Sequence, residues 1–191
     1  MSGYEVVARF IGSHNLSETD RETNDYYATS PVAAEQLIQI EKLNKNIWEC
    51  ACGEGHLAKV FSEHGYTVKS TDLIDRGYGI GGVDFLSQTE PFNGDIVTNP
   101  PYKYAEDFIV KALELIPEGH KVCMILKLQF LEGRKRKDLF KRYPPYTVWV
   151  SASRIKHGLN GNFTNSSSMM ATAWYVWKKG YSGPTYLKWF N

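Results

Sequence analysis

The sequence predicts an α/β fold, with a doubly wound, mostly parallel sheet and an antiparallel strand near the carboxyl end. Three observations carry this expectation. Strand and helix signals alternate from residue 31 to about residue 142. The run Val122-Cys123-Met124-Ile125-Leu126 is apolar without a break and bounded by lysines, as in a strand covered on both faces. Two aromatic strand patterns, at residues 146–150 and 171–177, then close the chain. With 191 residues and 42% hydrophobic content the chain is expected to form one domain, residues 1–30 being a partly flexible arm and 31–191 the core.

Taken in order, Val6 to Ile11 is a short apolar run, and Ser13 to Asp25 is polar and reads as loop. Ser30-Pro31 marks a helix start, Ser30 as N-cap and Pro31 where a missing N–H costs nothing. Val32, Ala33, Leu37, Ile38, Ile40 and Leu43 extend that helix to about Leu43. Residues 46–51 form a first strand, which turns through Cys52-Gly53-Glu54-Gly55 into a helix from about His56 to His64, with Gly65 as its C-cap. Residues 67–72 form a second strand ending on a carboxylate, and a weaker third should approach Gly82-Val83-Asp84-Phe85.

The stretch Asp95 to Tyr102 is the most informative. Ile96 and Val97 read as a buried strand, and Pro100-Pro101 prevents the chain from continuing either a ladder or a helix. An amide, two carbonyls and an aromatic ring are thereby presented at a strand's carboxyl end, where open α/β sheets bind ligands. Ala105 to Leu115 then reads as a helix through Phe108, Ile109, Ala112, Leu113 and Leu115.

Charge is uneven. The net value is +1, yet Leu131 to Asn160 carries eight basic residues, among them Arg134, Lys135, Arg136 and Lys137, against Glu132 and Asp138, a local +6. Such a field suits a polyanionic partner, or simply a solvated helix face. Cys50, Cys52 and Cys123 all sit in strand-like apolar stretches, which fits a reducing compartment better than a disulfide framework. Cys50, Cys52, His56 and His64 lack the second Cys-x-x-Cys pair that a zinc site would want, so no metal is expected. No apolar run approaches a membrane span and the N-terminus lacks a signal peptide's basic and apolar regions, so a cytoplasmic protein is expected.

A strand, a glycine turn and a helix together direct amide N–H groups and a helix dipole at a ligand. Gly53, Gly55 and Ala58 satisfy the weak form of a dinucleotide fingerprint, and Asp72 follows at a suitable distance. The turn can also serve packing alone. For a pyrophosphate, Glu49 and Glu54 are unfavourable neighbours; for S-adenosylmethionine, with its ammonium and sulfonium, they are favourable. Asp72 is placed to accept from ribose hydroxyls, and Asp84 from the adenine amine of that cofactor, with Phe85 or Ile74 against the ring. A lone Asp in a turn is also a common Asx cap.

Glu49-Cys50-Ala51-Cys52-Gly53-Glu54-Gly55, the acid after strand two, Asp84-Phe85 and Asn99-Pro100-Pro101-Tyr102 stand in the order and spacing of a known family. Over residues 26–130 the chain resembles the S-adenosylmethionine-dependent DNA methyltransferases that act on amino groups, of the phage and restriction-modification type. Thr29-Ser30-Pro31 is similar to the Thr-Pro motif of the adenine-specific group. The resemblance implies a Rossmann-like class I methyltransferase fold, with Thr29, Glu49, Ala51, Gly53, Gly55, Asp72, Ile74, Asp84 and Phe85 around the cofactor. It implies catalysis by Asn99, Pro100, Pro101 and Tyr102, and a second stacking aromatic at Phe163. The expected partner is DNA. Unlike larger members, the chain has no room for a sizeable target-recognition domain, which leaves the loops at 13–28 and 131–168, a second subunit or loose specificity.

The chemistry accounts for the residue types. The exocyclic nitrogen of adenine is a poor nucleophile because its lone pair is delocalised into the ring. Two acceptors, the Asn99 side-chain oxygen and the Pro100 carbonyl, can take the two amine hydrogens and push the nitrogen toward tetrahedral, which is positioning and electrostatics rather than acid–base catalysis. A base inside a duplex must be flipped out, and Tyr102 offers a ring to stack on. His14, His64, His120 and His157 receive no role. The same tetrapeptide suits RNA adenine or a protein glutamine amide, and a cofactor-binding regulator without turnover is a further alternative.

Overall fold

The computed structural model describes residues 27–152, 157–159 and 171–190. Its strands are β1 (Tyr27–Thr29), β2 (Asn46–Glu49), β3 (Thr67–Ser70), β4 (Asp95–Thr98), β5 (Lys121–Lys127), β6 (Thr147–Ser151), β7 (His157–Leu159), β8 (Thr172–Lys178) and β9 (Tyr186–Phe190). Its helices are α1 (Pro31–Ile40), α2 (His56–Glu63), α3 (Ala105–Leu115) and α4 (Arg136–Arg142), with single 3₁₀ turns at Phe85–Ser87, Tyr102–Tyr104 and Leu128–Leu131.

Seven strands form one sheet in the order β3-β2-β4-β5-β8-β6-β9. β3, β2, β4 and β5 run parallel, β8 is antiparallel to both of its neighbours, and β9 is parallel to β6. The mostly parallel α/β sheet with an antiparallel strand near the carboxyl end is therefore as expected. β1 pairs with β7 in a separate antiparallel ribbon.

Strand periodicity divides the core into two layers. Along β5, Val122, Met124 and Leu126 join Trp48, Ile96, Phe108, Ile109 and Tyr175 on the α3 side, whereas Cys123 and Ile125 join Leu37, Ile47, Phe61 and Trp174 on the α1–α2 side. Both faces are covered, which is why the strand reads as an unbroken apolar run. Trp48 is buried, donates from Nε1 to Thr71 Oγ1 at 2.9 Å and carries the Lys69 ammonium 3.7 Å from its ring centroid. Truncating it to alanine should cost about 3–5 kcal/mol.

The structure departs from the sequence expectation at several points, among them the unexpected ribbon of β1 and β7. The first helix ends at Ile40, because the Glu41 backbone is extended and its buried carboxylate accepts from Lys121 Nζ at 2.5 Å and Trp149 Nε1 at 2.8 Å. Ser30 occupies the N-cap position, but its carbonyl, not its hydroxyl, makes the turn by accepting from Ala33 N–H. No strand forms at residues 82–85; Asp84 caps the 3₁₀ turn, and a single parallel bridge, Thr71 to Ile80, stands beside β3. β9 was not expected, since its side chains are largely exposed and give no buried alternation. Gly65 follows α2 at φ +79°, and Tyr66 N–H bonds back to Phe61 as a left-handed cap predicts.

Candidate active site

A cavity of about 360 Å³ opens at the carboxyl ends of β2, β3 and β4, where the strand order reverses. β2 delivers Glu49 and, just beyond it, Ala51 and Cys52; the segment after β3 delivers Asp72 and Ile74; the segment after β4 delivers Asn99, Pro100, Pro101 and Tyr102. Thr29, Asp84 and Phe85 complete the expected residues on its wall. Gly53 and Gly55 do not line it.

Glu49 is 2% exposed, and its Oε2 has no hydrogen-bond partner among the described residues. Burial pushes its carboxyl well above the ordinary range; the Ala58 backbone opposes this and the Asp72 charge adds to it. Asp72 accepts from Gly53 N–H at 2.7 Å through Oδ2 and from Ile74 N–H at 2.9 Å through Oδ1. It therefore ties the glycine turn to the end of β3 while each oxygen keeps further acceptor capacity.

The glycines serve that turn. Gly53 lies at φ +55° and Gly55 at φ +78°. The Tyr78 ring covers Gly55 so closely that a Cβ there would sit 2.3 Å from Tyr78 Cδ1. Lys59 in turn holds its ammonium 5.0 Å from the Tyr78 ring centroid.

Asp84 is exposed and accepts from Leu86 N–H at 3.0 Å, so it acts as an Asx cap while lining the cavity. Phe85 is buried edge-on against Trp48, with centroids 5.3 Å apart, and forms part of the floor. Ile74 is half-buried on the wall and Leu73, beside it, is exposed.

Asn99 Nδ2 donates to Thr29 Oγ1 at 2.8 Å, joining the segment after β4 to β1. Its Oδ1 is buried. The Pro101 carbonyl accepts from Tyr104 N–H at 2.9 Å, which closes the turn that begins with Tyr102. Lys127, the last residue of β5, places Nζ 4.9 Å from the Tyr102 ring centroid. Such a contact contributes about 0.5–1 kcal/mol at an exposed site. Tyr102 and Lys103 also belong to a second cavity of about 310 Å³, lined further by Lys127, Gln129, Phe130 and Arg136.

In the basic segment Arg134, Lys135 and Lys137 are exposed, but Arg136 is not available in the way expected of it. Its guanidinium pairs with Glu106 at 3.3 Å, donates to the Gln129 and Glu132 carbonyls at 3.2 and 2.7 Å, and stacks 4.5 Å from the Phe130 centroid. It anchors the stretch between β5 and α4. Phe163, Arg154 and Lys156 lie outside the described residues.

The cavity also draws in Ala28, His56, Leu73, Arg76, Lys103 and Tyr104, which the motifs did not single out. Each lies within four residues of a motif position, and adjacency was the available signal. Burial lowers the pKa of His56, against the raising effect of Glu54 3.7 Å away. Burial pushes the Cys52 thiol up to about 12, with Glu49 and Asp72 adding, and holds that of Cys50 well above its ordinary value.

No family model matches the sequence, and no curated protein matches it. Solved structures do resemble the fold. A protein from Pyrococcus horikoshii described as an RNA methyltransferase superposes with a TM-score of 0.59 at 14% identity, over 94% of this chain and 99% of its own. A protein from Listeria monocytogenes described as a class I S-adenosylmethionine-dependent methyltransferase gives 0.58 at 13% identity, over 83% of this chain but only 63% of its own. The tRNA (m1A58) methyltransferase of Aquifex aeolicus gives 0.53 at 18% identity, over 84% and 72%. The chain has the Rossmann-like fold of the class I methyltransferases.

Proposed function

We propose that the protein transfers a methyl group from S-adenosylmethionine to the exocyclic amine of adenine in DNA. The observation that carries this reading is a juxtaposition: Asn99-Pro100-Pro101-Tyr102 shares one cavity wall with the buried carboxylate of Glu49 and the strand-end carboxylate of Asp72. The residues fit the cofactor. Glu49 Oε2, buried without a partner, gains one in an ammonium, and Asp72 retains acceptor capacity for ribose hydroxyls. When bound, the cofactor supplies an electrophilic methyl group on a sulfonium.

The chain's own part is positioning. Asn99 Oδ1 and the Pro100 carbonyl accept the two amine hydrogens, and Thr29, by accepting from Asn99 Nδ2, orients the amide. Because Oδ1 is covered in this structure, the target amine reaches it only as neighbouring side chains give way. Cys50 and Cys52 line the cavity as thiols, not thiolates, which disfavours attack at a ring carbon through a cysteine adduct. Base stacking on an aromatic ring, at about 1–3 kcal/mol, outweighs the lysine contact that covers Tyr102. Exposed Arg134, Lys135 and Lys137 favour a nucleic acid over an isolated amide. Adenine in RNA is the second reading, favoured by the Pyrococcus and Aquifex structures, both described as RNA methyltransferases.

DNA incubated with labelled cofactor and digested to nucleosides should contain adenine methylated on its exocyclic nitrogen. Label found only in methylcytosine, only in RNA or only in a protein glutamine would refute the substrate and leave the cofactor site standing.

A further inference from the structure

Nothing in methyl transfer as described above uses Lys127, and the inference drawn here rests on that nucleotide-methylating reading. We propose that Lys127 is a positioning residue directed at phosphate. It holds the backbone of the substrate nucleotide beside Tyr102, so that the site selects nucleotides over nucleosides and amides.

Four observations support this role. First, the Lys127 backbone is fixed: it is in register with Thr172 of β8, and its carbonyl accepts from the Tyr175 hydroxyl at 3.0 Å. Second, its side chain is half-buried and makes no ion pair among the described residues, resting instead 4.9 Å from the Tyr102 centroid. A fixed backbone carrying a charge without an ion-pair partner is what an anion contact needs. Third, the cavity it lines adjoins the first, sharing Tyr102 and Lys103 with it, and has a volume of about 310 Å³. Fourth, Glu106 is paired with Arg136, and among the described residues neither Lys103 nor Lys127, which also line the cavity, makes an ion pair. The Lys127 ammonium lies at the Tyr102 ring and that of Lys103 at the Tyr104 ring, 5.2 Å from its centroid; such positive charge attracts a phosphate and offers little to a neutral amide. The long lysine stem lets the ammonium leave the ring for a phosphate, clearing that face of Tyr102 without backbone motion.

The test compares wild type, Lys127→Gln and Lys127→Arg on DNA and on free deoxyadenosine. Lys127→Gln should raise KM for DNA about tenfold with kcat nearly unchanged. It should also reduce the slope of log affinity against log salt by about 0.7–0.9 and cause no loss on deoxyadenosine, while Lys127→Arg restores KM. Equal losses on DNA and deoxyadenosine, or an unchanged KM and slope, would overturn the proposal. Independently of any variant, wild type should bind dAMP about tenfold more tightly than deoxyadenosine at low salt; equal affinities would also overturn it. A wild-type protein inactive on DNA and RNA would overturn the parent reading, whereas an active one indifferent to Lys127→Gln overturns this inference alone.

Discussion

Glu49→Gln should separate the cofactor's contribution from the protein's own. In the unliganded protein the Glu49 carboxyl is buried with one oxygen unpartnered, and its pKa is raised well above the ordinary carboxyl range. A group whose folded-state pKa is raised contributes most to stability below its unfolded pKa and loses that contribution as pH rises through the folded value. Glutamine has no such proton to lose, so the variant should gain stability relative to wild type as pH climbs from about 4.3 toward the folded-state pKa. Binding should move the opposite way. An ammonium beside Glu49 favours the ionised form, so wild type should release up to about one proton on binding at pH values below that pKa. Losing that charge-assisted hydrogen bond should cost about 1.5–3 kcal/mol, or roughly 10–150-fold in Kd. Calorimetry with S-adenosylhomocysteine, which carries the same ammonium, in two buffers of different ionisation enthalpy reads both Kd and proton release. Unaltered affinity together with unaltered proton release would refute the placement of the ammonium at Glu49.

Three further expectations follow from the geometry. Asn99→Ala should retain cofactor affinity but lose methyl transfer by orders of magnitude, because its hydrogen bond strengthens toward the transition state; near-normal single-turnover rates would remove Asn99 from the chemistry. Gly55→Ala should destabilise the fold by about 1–3 kcal/mol in urea unfolding, since the new Cβ meets the Tyr78 ring at 2.3 Å in a left-handed backbone; an unchanged midpoint would count against that packing. Neutralising Arg134, Lys135 and Lys137 together should flatten the salt dependence of DNA binding without altering stability, whereas Arg136→Gln should lower the thermal midpoint through loss of the Glu106 pair and two carbonyl contacts; the reverse pattern would exchange their roles.

What was legible in the sequence was local. Two prolines after Asp95–Thr98 force the chain to stop, and the apolar run at Val122–Leu126 has few other homes, so both elements could be read from a few residues. The glycine turn was legible as a turn but not in its purpose, because the ring on Gly55 arrives from Tyr78 in a loop with no periodicity. Arg136 looked like any member of a basic run until Glu106 and the carbonyls after β5 were placed around it. A third strand was anticipated where Asp84 caps a turn, since Asx capping and a strand end share one residue type. The Thr29 to Asn99 bond spans 70 positions, beyond what spacing alone can reveal.

That bond bears on the order in which the protein becomes active during synthesis. β2 to β5 pair with one another in parallel and can form a sheet edge once residue 127 has emerged. Thr29, however, is held in a ribbon whose other strand is β7, with Thr29 opposite His157. A nascent chain halted after β5 would present the cavity carboxylates of Glu49 and Asp72, proposed above to hold the cofactor, while its Asn99 amide still lacked Thr29 as an anchored partner. Growing at about 5–20 residues per second, the chain passes through this interval in a few seconds. Competence to bind cofactor would therefore precede competence to transfer from it, and the last part of the site to mature would be one whose residues were among the earliest made.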